Sequence, residues 1–188
     1  MLDVAPSPGA GALELARTLG CRVTGVDYSA EQVARANAAA RATRLAERVA
    51  FEQGDAEGLS FATGSFDALR CECAFCTFPD KATAAAEFAR VLRPGGRLGL
   101  SDIALDPAKL PASFQGVLGV VACIADARPA TENVELLATA GFGGFQVEDH
   151  AGDLVALVQQ IDVCLLAVKV AAALGKHPGG TPCAAARP

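Results

Sequence analysis

The opening 29 residues constrain this chain more than any other stretch. Leu2-Asp3-Val4 is a short apolar run that enters a turn of small residues, Ala5-Pro6-Ser7-Pro8-Gly9-Ala10-Gly11. A helical stretch follows from Ala12 to Leu19 and stops at Gly20. Cys21-Arg22-Val23-Thr24-Gly25-Val26 is a second β-rich run, and it ends on Asp27. A small-residue turn after a strand lets backbone approach a ligand closely, and the next helix offers free N–H groups at its start. An acid at the tip of the following strand is placed to take both hydroxyls of a ribose. This pattern reads as a nucleoside-binding βαβ unit.

The rest of the chain continues the alternation. Helices are predicted over Ala30–Leu45, with Ser29 as N-cap, over Asp80–Val91, Thr131–Ala140 and Asp153–Leu174, with a helix-rich insert at Pro111–Ala125. Strands are predicted at Val49–Gln53, Phe66–Cys71, Arg97–Ser101 and Phe145–Glu148, and Leu92–Gly96 reads as a tight turn. Residues 1–174 form a single domain in this reading, and the Gly/Pro/Ala-rich stretch Gly175–Pro188 a disordered tail. Strands alternating with helices imply an α/β, doubly wound, mostly parallel sheet of Rossmann-like type, covered on both faces.

Charge and composition narrow the function classes. A net charge of −5 and a pI of about 5.0 argue against a nucleic-acid or anionic-membrane partner, which calls for a basic stripe. No uninterrupted apolar run of about 18 residues suggests a membrane span, and no secretory leader is legible. Seven cysteines without such a leader read as reduced thiols in a cytoplasm. The Ala/Arg-rich composition, with Trp absent, points to a bacterial, GC-rich genome. A mean hydropathy of +0.32 is compatible with a homo-oligomer.

In such a sheet, ligands sit at the carboxyl ends of the strands, at the point where strand order reverses. Three tips converge there: the turn Ala5–Gly11, Asp27, and Asp55-Ala56-Glu57 after the third strand. Neighbouring strands lie roughly 4.8 Å apart, so these tips line a groove of nucleoside length. Asp27 is placed for a ribose, Asp55 for an exocyclic adenine amine, and the Ala56 amide for a ring nitrogen.

Five segments in register carry a family resemblance: Leu2–Gly9, Gly25–Ser29, Gly54–Glu57, Phe66–Ala68 and Leu92–Leu98. Together they resemble the motifs of class I S-adenosylmethionine-dependent methyltransferases, in particular the small-molecule branch of ubiquinone/menaquinone type. The resemblance implies a seven-stranded sheet, S-adenosyl-L-methionine as cofactor and methyl transfer to a small-molecule acceptor. It also implies cofactor contacts from Asp3, Ala5, Ser7 and Gly9 around the methionine part, from Asp27 and Tyr28 at the ribose, from Asp55 and Ala56 at the adenine, and from Cys71 at the fourth strand tip. The chain departs from the family pattern in three places. Ala5 and Ser7 stand where glycines are usual. No helical lid segment precedes the first strand, and no apolar run supplies the family's last strand.

The stretch Cys71-Glu72-Cys73-Ala74-Phe75-Cys76 leaves the fourth strand where an acceptor usually lies in this family. Glu72, read as a carboxylate among apolar neighbours, and His150, after Glu148-Asp149, are the candidate catalytic bases. No resident metal is expected. Cys73, Cys76 and Cys123 become ligands if the acceptor is a trivalent metalloid, as in arsenite-type methyltransferases, whose spacing differs. The competing reading of the triplet is three small buried hydrophobes. Two further readings are an NAD-dependent oxidoreductase, disfavoured because Glu14 stands where the dinucleotide fingerprint needs a small residue, and a non-catalytic methyltransferase-fold domain.

Overall fold

The computed structural model describes residues 1–109, 124 and 126–173. They fall into two compact units, Met1–Phe145 and Gln146–Pro188.

The first unit is built on a five-stranded sheet: β1 (Leu2–Val4), β2 (Val23–Asp27), β3 (Val49–Gln53), β4 (Phe66–Glu72) and β5 (Leu92–Ser101). The spatial order is β3-β2-β1-β4-β5 and every pairing is parallel. Strand order therefore reverses at β1, which pairs with β2 through Leu2↔Thr24 and with β4 through Leu2↔Leu69. This is the doubly wound topology read from the alternation of elements. β1 lies at the centre of the sheet, and all three of its residues are buried.

Alternation along the strands sends apolar side chains to both faces. On one, Leu2, Val4, Val26, Leu69 and Cys71 pack with Phe75, Phe88 and Val91. On the other, Val23, Val49 and Phe51 pack with Ala12 and Ala16 of α1 (Ala10–Leu19) and Ala36 and Ala40 of α2 (Ala30–Ala42). Alanines at these helix positions let the helices come close to the sheet.

The helix ends follow local chemistry. Gly20 closes α1 in the left-handed region at φ 65°, donating its N–H to the Ala16 carbonyl. The Ser29 side chain accepts from the Gln32 N–H to start α2. The Asp80 side chain accepts from Ala82 and Thr83 to start α3 (Lys81–Val91). β5 begins directly after α3 and absorbs the expected turn as an irregularity: Phe66 pairs with Leu92, but Ala68 pairs with Arg97. Gly95, at φ 77°, supplies the positive dihedral within it.

A 3₁₀ turn at Pro107–Lys109 and helix α4 (Ala130–Thr139) complete the described part of this unit. The second unit contributes α5 (Ala151–Ala173). The strand expected at Phe145–Glu148 is absent: those residues are irregular, and Phe145 and Val147 are exposed. Their alternation is that of a strand, but among the described residues no neighbouring ladder pairs with them. The expected insert at 111–125, apart from residue 124, and the expected tail at 175–188 lie outside the described residues. No helix among the described residues is long and apolar enough to cross a membrane.

Candidate active site

The turn after β1 carries unusual backbone. Ala5 and Ser7 both have positive φ, 54° and 53°, and Gly9 follows at 83°. A side chain in the left-handed region costs about 1–2 kcal/mol, so the two non-glycine residues store strain at this turn. Hydrogen bonds hold them there: Ala5 N–H donates to the Val26 carbonyl at 2.7 Å, and Gly9 N–H to the Pro6 carbonyl at 3.0 Å. Gly9 has no such latitude, because a Cβ there would lie 2.6 Å from Cζ of Phe51. The turn thus packs on β3 while exposing backbone at the sheet's carboxyl end.

Asp27 ties this turn to the tip of β2. Its Oδ2 accepts from Ser7 N–H at 3.3 Å and its Oδ1 from Ser29 N–H at 2.9 Å. A carboxylate has about four lone-pair sites, so each oxygen retains room for a second donor. After β3, Asp55 Oδ1 accepts from Glu57 N–H at 2.9 Å, which curls the chain so that Asp55 and Gly58 bridge. Between these tips lies a cavity of about 540 Å³, lined on this side by Ala5, Asp27, Tyr28, Asp55 and Ala56 and floored by Val4 and Val26. Tyr28 stands at its edge, 77% exposed.

The facing wall comes from the chain beyond β4. A 3₁₀ turn, Phe75–Thr77, presents Thr77, Phe78 and Pro79 to the cavity. Phe78 also packs edge-on against Phe75 and Phe88, with ring centroids 5.9 and 6.3 Å away. Three contacts hold this wall. Asp102, just past β5, accepts from Cys76 N–H at 2.6 Å. Asp80 N–H donates to Glu57 Oε1 at 2.7 Å, joining the two walls. Lys81, only 3% exposed, donates through Nζ to the Phe78 carbonyl at 3.0 Å and pairs with the Asp126 carboxylate.

Farther along α3, Glu87 and Arg90 pin the loop that follows Ala56. Glu87 Oε2 accepts from Leu59 N–H, while Arg90 donates to the Leu59 and Phe61 carbonyls at 2.8 and 2.7 Å. The hydrogen bond from Arg90 holds the Glu87 carboxyl below its ordinary range. Sequence reasoning missed Thr77, Phe78, Pro79, Lys81 and Asp102; their common signal is position, just beyond strands 4 and 5 at the reversal point.

The remaining predicted residues lie elsewhere. Ser7 and Gly9 shape the turn without lining the cavity. Asp3 is buried beneath it, on the face opposite Leu2 and Val4, 3.4 Å from Arg70. Burial raises the Asp3 carboxyl from 3.8 to about 6, against the lowering influence of Arg70. The Arg70 guanidinium lies where a Cβ on Gly11 would project, so it occupies the first turn of α1. Glu72, expected among apolar neighbours, is instead exposed and ion-paired with Arg70. Residues 70 and 72 share one face of β4, and that parity brings the two charges together.

Cys71 is fully buried, and burial, reinforced by the Asp102 and Asp3 carboxylates, pushes its thiol up. It belongs to the apolar core and does not line the cavity. Cys76 is buried and Cys73 exposed at φ 51°; Cys123 lies outside the described residues. Among the described residues, no cluster of three or more His, Cys, Asp or Glu is arranged to hold a metal ion. Cys21 and Cys71 are free thiols, whereas Cys164, expected to be reduced, is disulfide-bonded. His150 belongs to the second unit. Its Nδ1 lies 2.8 Å from Asp153 and its Nε2 3.2 Å from Glu148, and those hydrogen bonds, Asp153 first, raise its pKa.

A strand-tip carboxylate, a strained turn and an apolar wall surround one cavity, and comparison with known proteins adds a family to that geometry. The family described as "Methyltransferase domain" matches residues 2–100. A 27-O-demethylrifamycin SV methyltransferase of Amycolatopsis mediterranei (strain S699) is 38% identical over 130 residues, 66% of this chain and 48% of the relative. A demethylmenaquinone methyltransferase of Deinococcus radiodurans is 37% identical over 122 residues, 64% of this chain and 47% of the relative. The solved structure of the [4+2]-cyclase SpnF superposes with a TM-score of 0.70 at 32% identity, covering 79% of this chain and 53% of that one. The chain spans about half the length of the curated relatives it matches. With more than half of its residues within the matched span, and the sheet order, strand-tip acids and turn all in place, this chain belongs to the methyltransferase domain family.

Proposed function

We propose that this chain binds S-adenosylmethionine in the cavity above β1 and β2 and catalyses methyl transfer to a small organic acceptor. The observation that carries the reading is Asp27: a carboxylate already fixed by two backbone N–H groups, at the tip of β2 beside the turn, with a lone pair left on each oxygen. That donor and acceptor arrangement fits the paired hydroxyls of a ribose. Asp55 and the Ala56 N–H then meet the adenine edge, and Phe78 offers it an apolar face. Backbone of the Ala5–Gly9 turn receives the methionine part, with Asp3 beneath. The cavity's volume of about 540 Å³ falls within the range of small-molecule sites.

When bound, S-adenosylmethionine supplies a sulfonium methyl group for in-line displacement by the acceptor's nucleophile. The chain's contribution to such a reaction is alignment and exclusion of water by the facing walls. Glu72 does not suit the role of a base, since Arg70 holds its carboxylate. His150 belongs to the other unit and has a carboxylate on each ring nitrogen, which favours its protonated form, so no base role falls to it.

The relatives named for demethylrifamycin and demethylmenaquinone favour a hydroxylated or quinone-like organic acceptor. The metalloid alternative is less supported: of its three thiols, Cys76 is buried and Cys73 exposed, and Cys123 lies outside the described residues. The acidic, Ala/Arg-rich composition supports a bacterial cytoplasmic setting without nucleic acid as partner. The test is turnover: release of S-adenosylhomocysteine on incubation with S-adenosylmethionine and a panel of hydroxylated polyketides and demethylated quinols. Turnover with one member supports the reading. Binding of the cofactor without turnover across the panel favours a non-methylating use of the fold, a point made pertinent by a neighbour described as a cyclase.

A further inference from the structure

Lys81 is misplaced by ordinary rules. It occupies the first position of α3, the positive end of the helix dipole, where a cation is disfavoured. It is also 3% exposed, and withdrawing an ammonium from water costs several kcal/mol unless it is paired and hydrogen-bonded. An apolar residue of similar volume would fill the same space without either penalty. What the lysine obtains there is specific: Nζ donates to the carbonyl of Phe78 at 3.0 Å and pairs with the Asp126 carboxylate. Phe78 lines the cavity, and Asp126 lies some 45 residues farther along the chain.

We infer that Lys81 is a positioning residue that locks the Phe78–Pro79 wall of the cavity to the Asp126 segment, and so sets the affinity of the cavity for its nucleoside. The inference rests on the cofactor reading above and adds to it a residue that touches no ligand. Phe78 reaches the cavity from a three-residue 3₁₀ turn held by Thr77 N–H and hydroxyl to Ala74, Phe78 N–H to Phe75 and Cys76 N–H to Asp102, none of which engages the Phe78 carbonyl. Neighbouring Asp80 N–H reaches Glu57 across the cavity. Without the ammonium, the Phe78 carbonyl loses its donor, and Asp126 has no cation to hold against the wall.

The test compares Lys81→Met, Asp126→Asn and the double variant Lys81→Met/Asp126→Leu with the unaltered chain. Three readouts are taken: the Kd for S-adenosylhomocysteine, the Tm, and amide hydrogen exchange without ligand. Lys81→Met is expected to weaken binding at least tenfold, measured well below its Tm. It should also speed exchange at Thr77, Phe78 and Asp80 at least tenfold, with Leu69 in the sheet unchanged. Asp126→Asn should move both in the same direction by less. The double variant, in which both charges give way to apolar groups, should recover Tm without recovering affinity.

Affinity returning together with Tm, or a Kd in Lys81→Met within twofold of the unaltered chain, would overturn the inference. If the unaltered chain does not bind S-adenosylhomocysteine at all, the cofactor reading fails, and the exchange data alone decide whether Lys81 pins the wall. Unchanged exchange in both single variants removes the pin itself.

Discussion

The two walls of the cavity are made in different ways. One is formed by strand tips: Ala5, Asp27, Asp55 and Ala56 follow directly from β1, β2 and β3, and their hydrogen bonds run to backbone only a few residues away or on the next strand. The other is held from a distance, with Phe78 tied through Lys81 to Asp126 and its neighbour Cys76 tied to Asp102. The first wall is a property of the sheet. The second is a property of tertiary contacts, and it can be altered without disturbing a strand.

If the strand-tip wall belongs to the sheet, damaging its turn should damage the fold. Gly9→Ala combines a disfavoured dihedral with a clash on Phe51, so it should cost about 3–4 kcal/mol of stability by urea denaturation. A loss under 1 kcal/mol would mean the turn adapts freely, and the contrast between the walls would weaken.

Asp3 gives the next largest effect, and its sign is unusual. Its folded pKa, about 6, exceeds the ordinary 3.8, because burial outweighs the attraction of Arg70, which also faces Glu72. Between these values the folded chain keeps a proton that the unfolded chain releases, so the Asp3 contribution to stability falls as pH rises through this window. Asp3→Asn should therefore gain stability relative to the unaltered chain on going from pH 4 to pH 7, by up to about 3 kcal/mol. Denaturation curves at the two pH values measure it; a constant difference would mean that Asp3 titrates alike in the folded and unfolded chains.

Asp27→Ala tests the strand-tip wall as a binding surface. It removes two anchors of the turn and, on the proposed reading, two charge-assisted hydrogen bonds to the ribose, and should weaken cofactor binding by about 2 kcal/mol, roughly thirtyfold. The smallest effect is a gain. Ala5→Gly relieves a positive φ and should raise stability by about 0.5–1 kcal/mol, after the added freedom of the unfolded chain is subtracted. A destabilisation would show that the Ala5 methyl packs better than its dihedral suggests.

The same contrast explains what could be read from the residues alone. The Ser29 cap, the Gly20 stop and the acids at Asp27 and Asp55 are local signals, written within a few residues of where they act, and each stands where it was expected. Cys71, expected at the cofactor, shares the parity of Leu69 and joins the core, whereas Arg70 and Glu72 share the other face; that parity pairs the two charges, which the apolar neighbours in sequence do not reveal. Lys81 carried no local signal, because a lysine after an Asp cap reads as a solvated helix start. Its burial depends on Asp126, and no periodicity links positions 45 residues apart. The strand expected at Phe145–Glu148 failed for the same reason: alternation was present, but a strand also needs a partner in space.

The central claim is that the strand-tip wall is a nucleoside site. Calorimetric titration of the unaltered chain and of Asp27→Ala with S-adenosylhomocysteine, with NADH as control, tests it most directly. The account predicts micromolar binding by the unaltered chain, about thirtyfold weaker binding by the variant, and no heat from NADH. Equal affinity in the two proteins, or binding of NADH in place of the sulfur nucleoside, would contradict it.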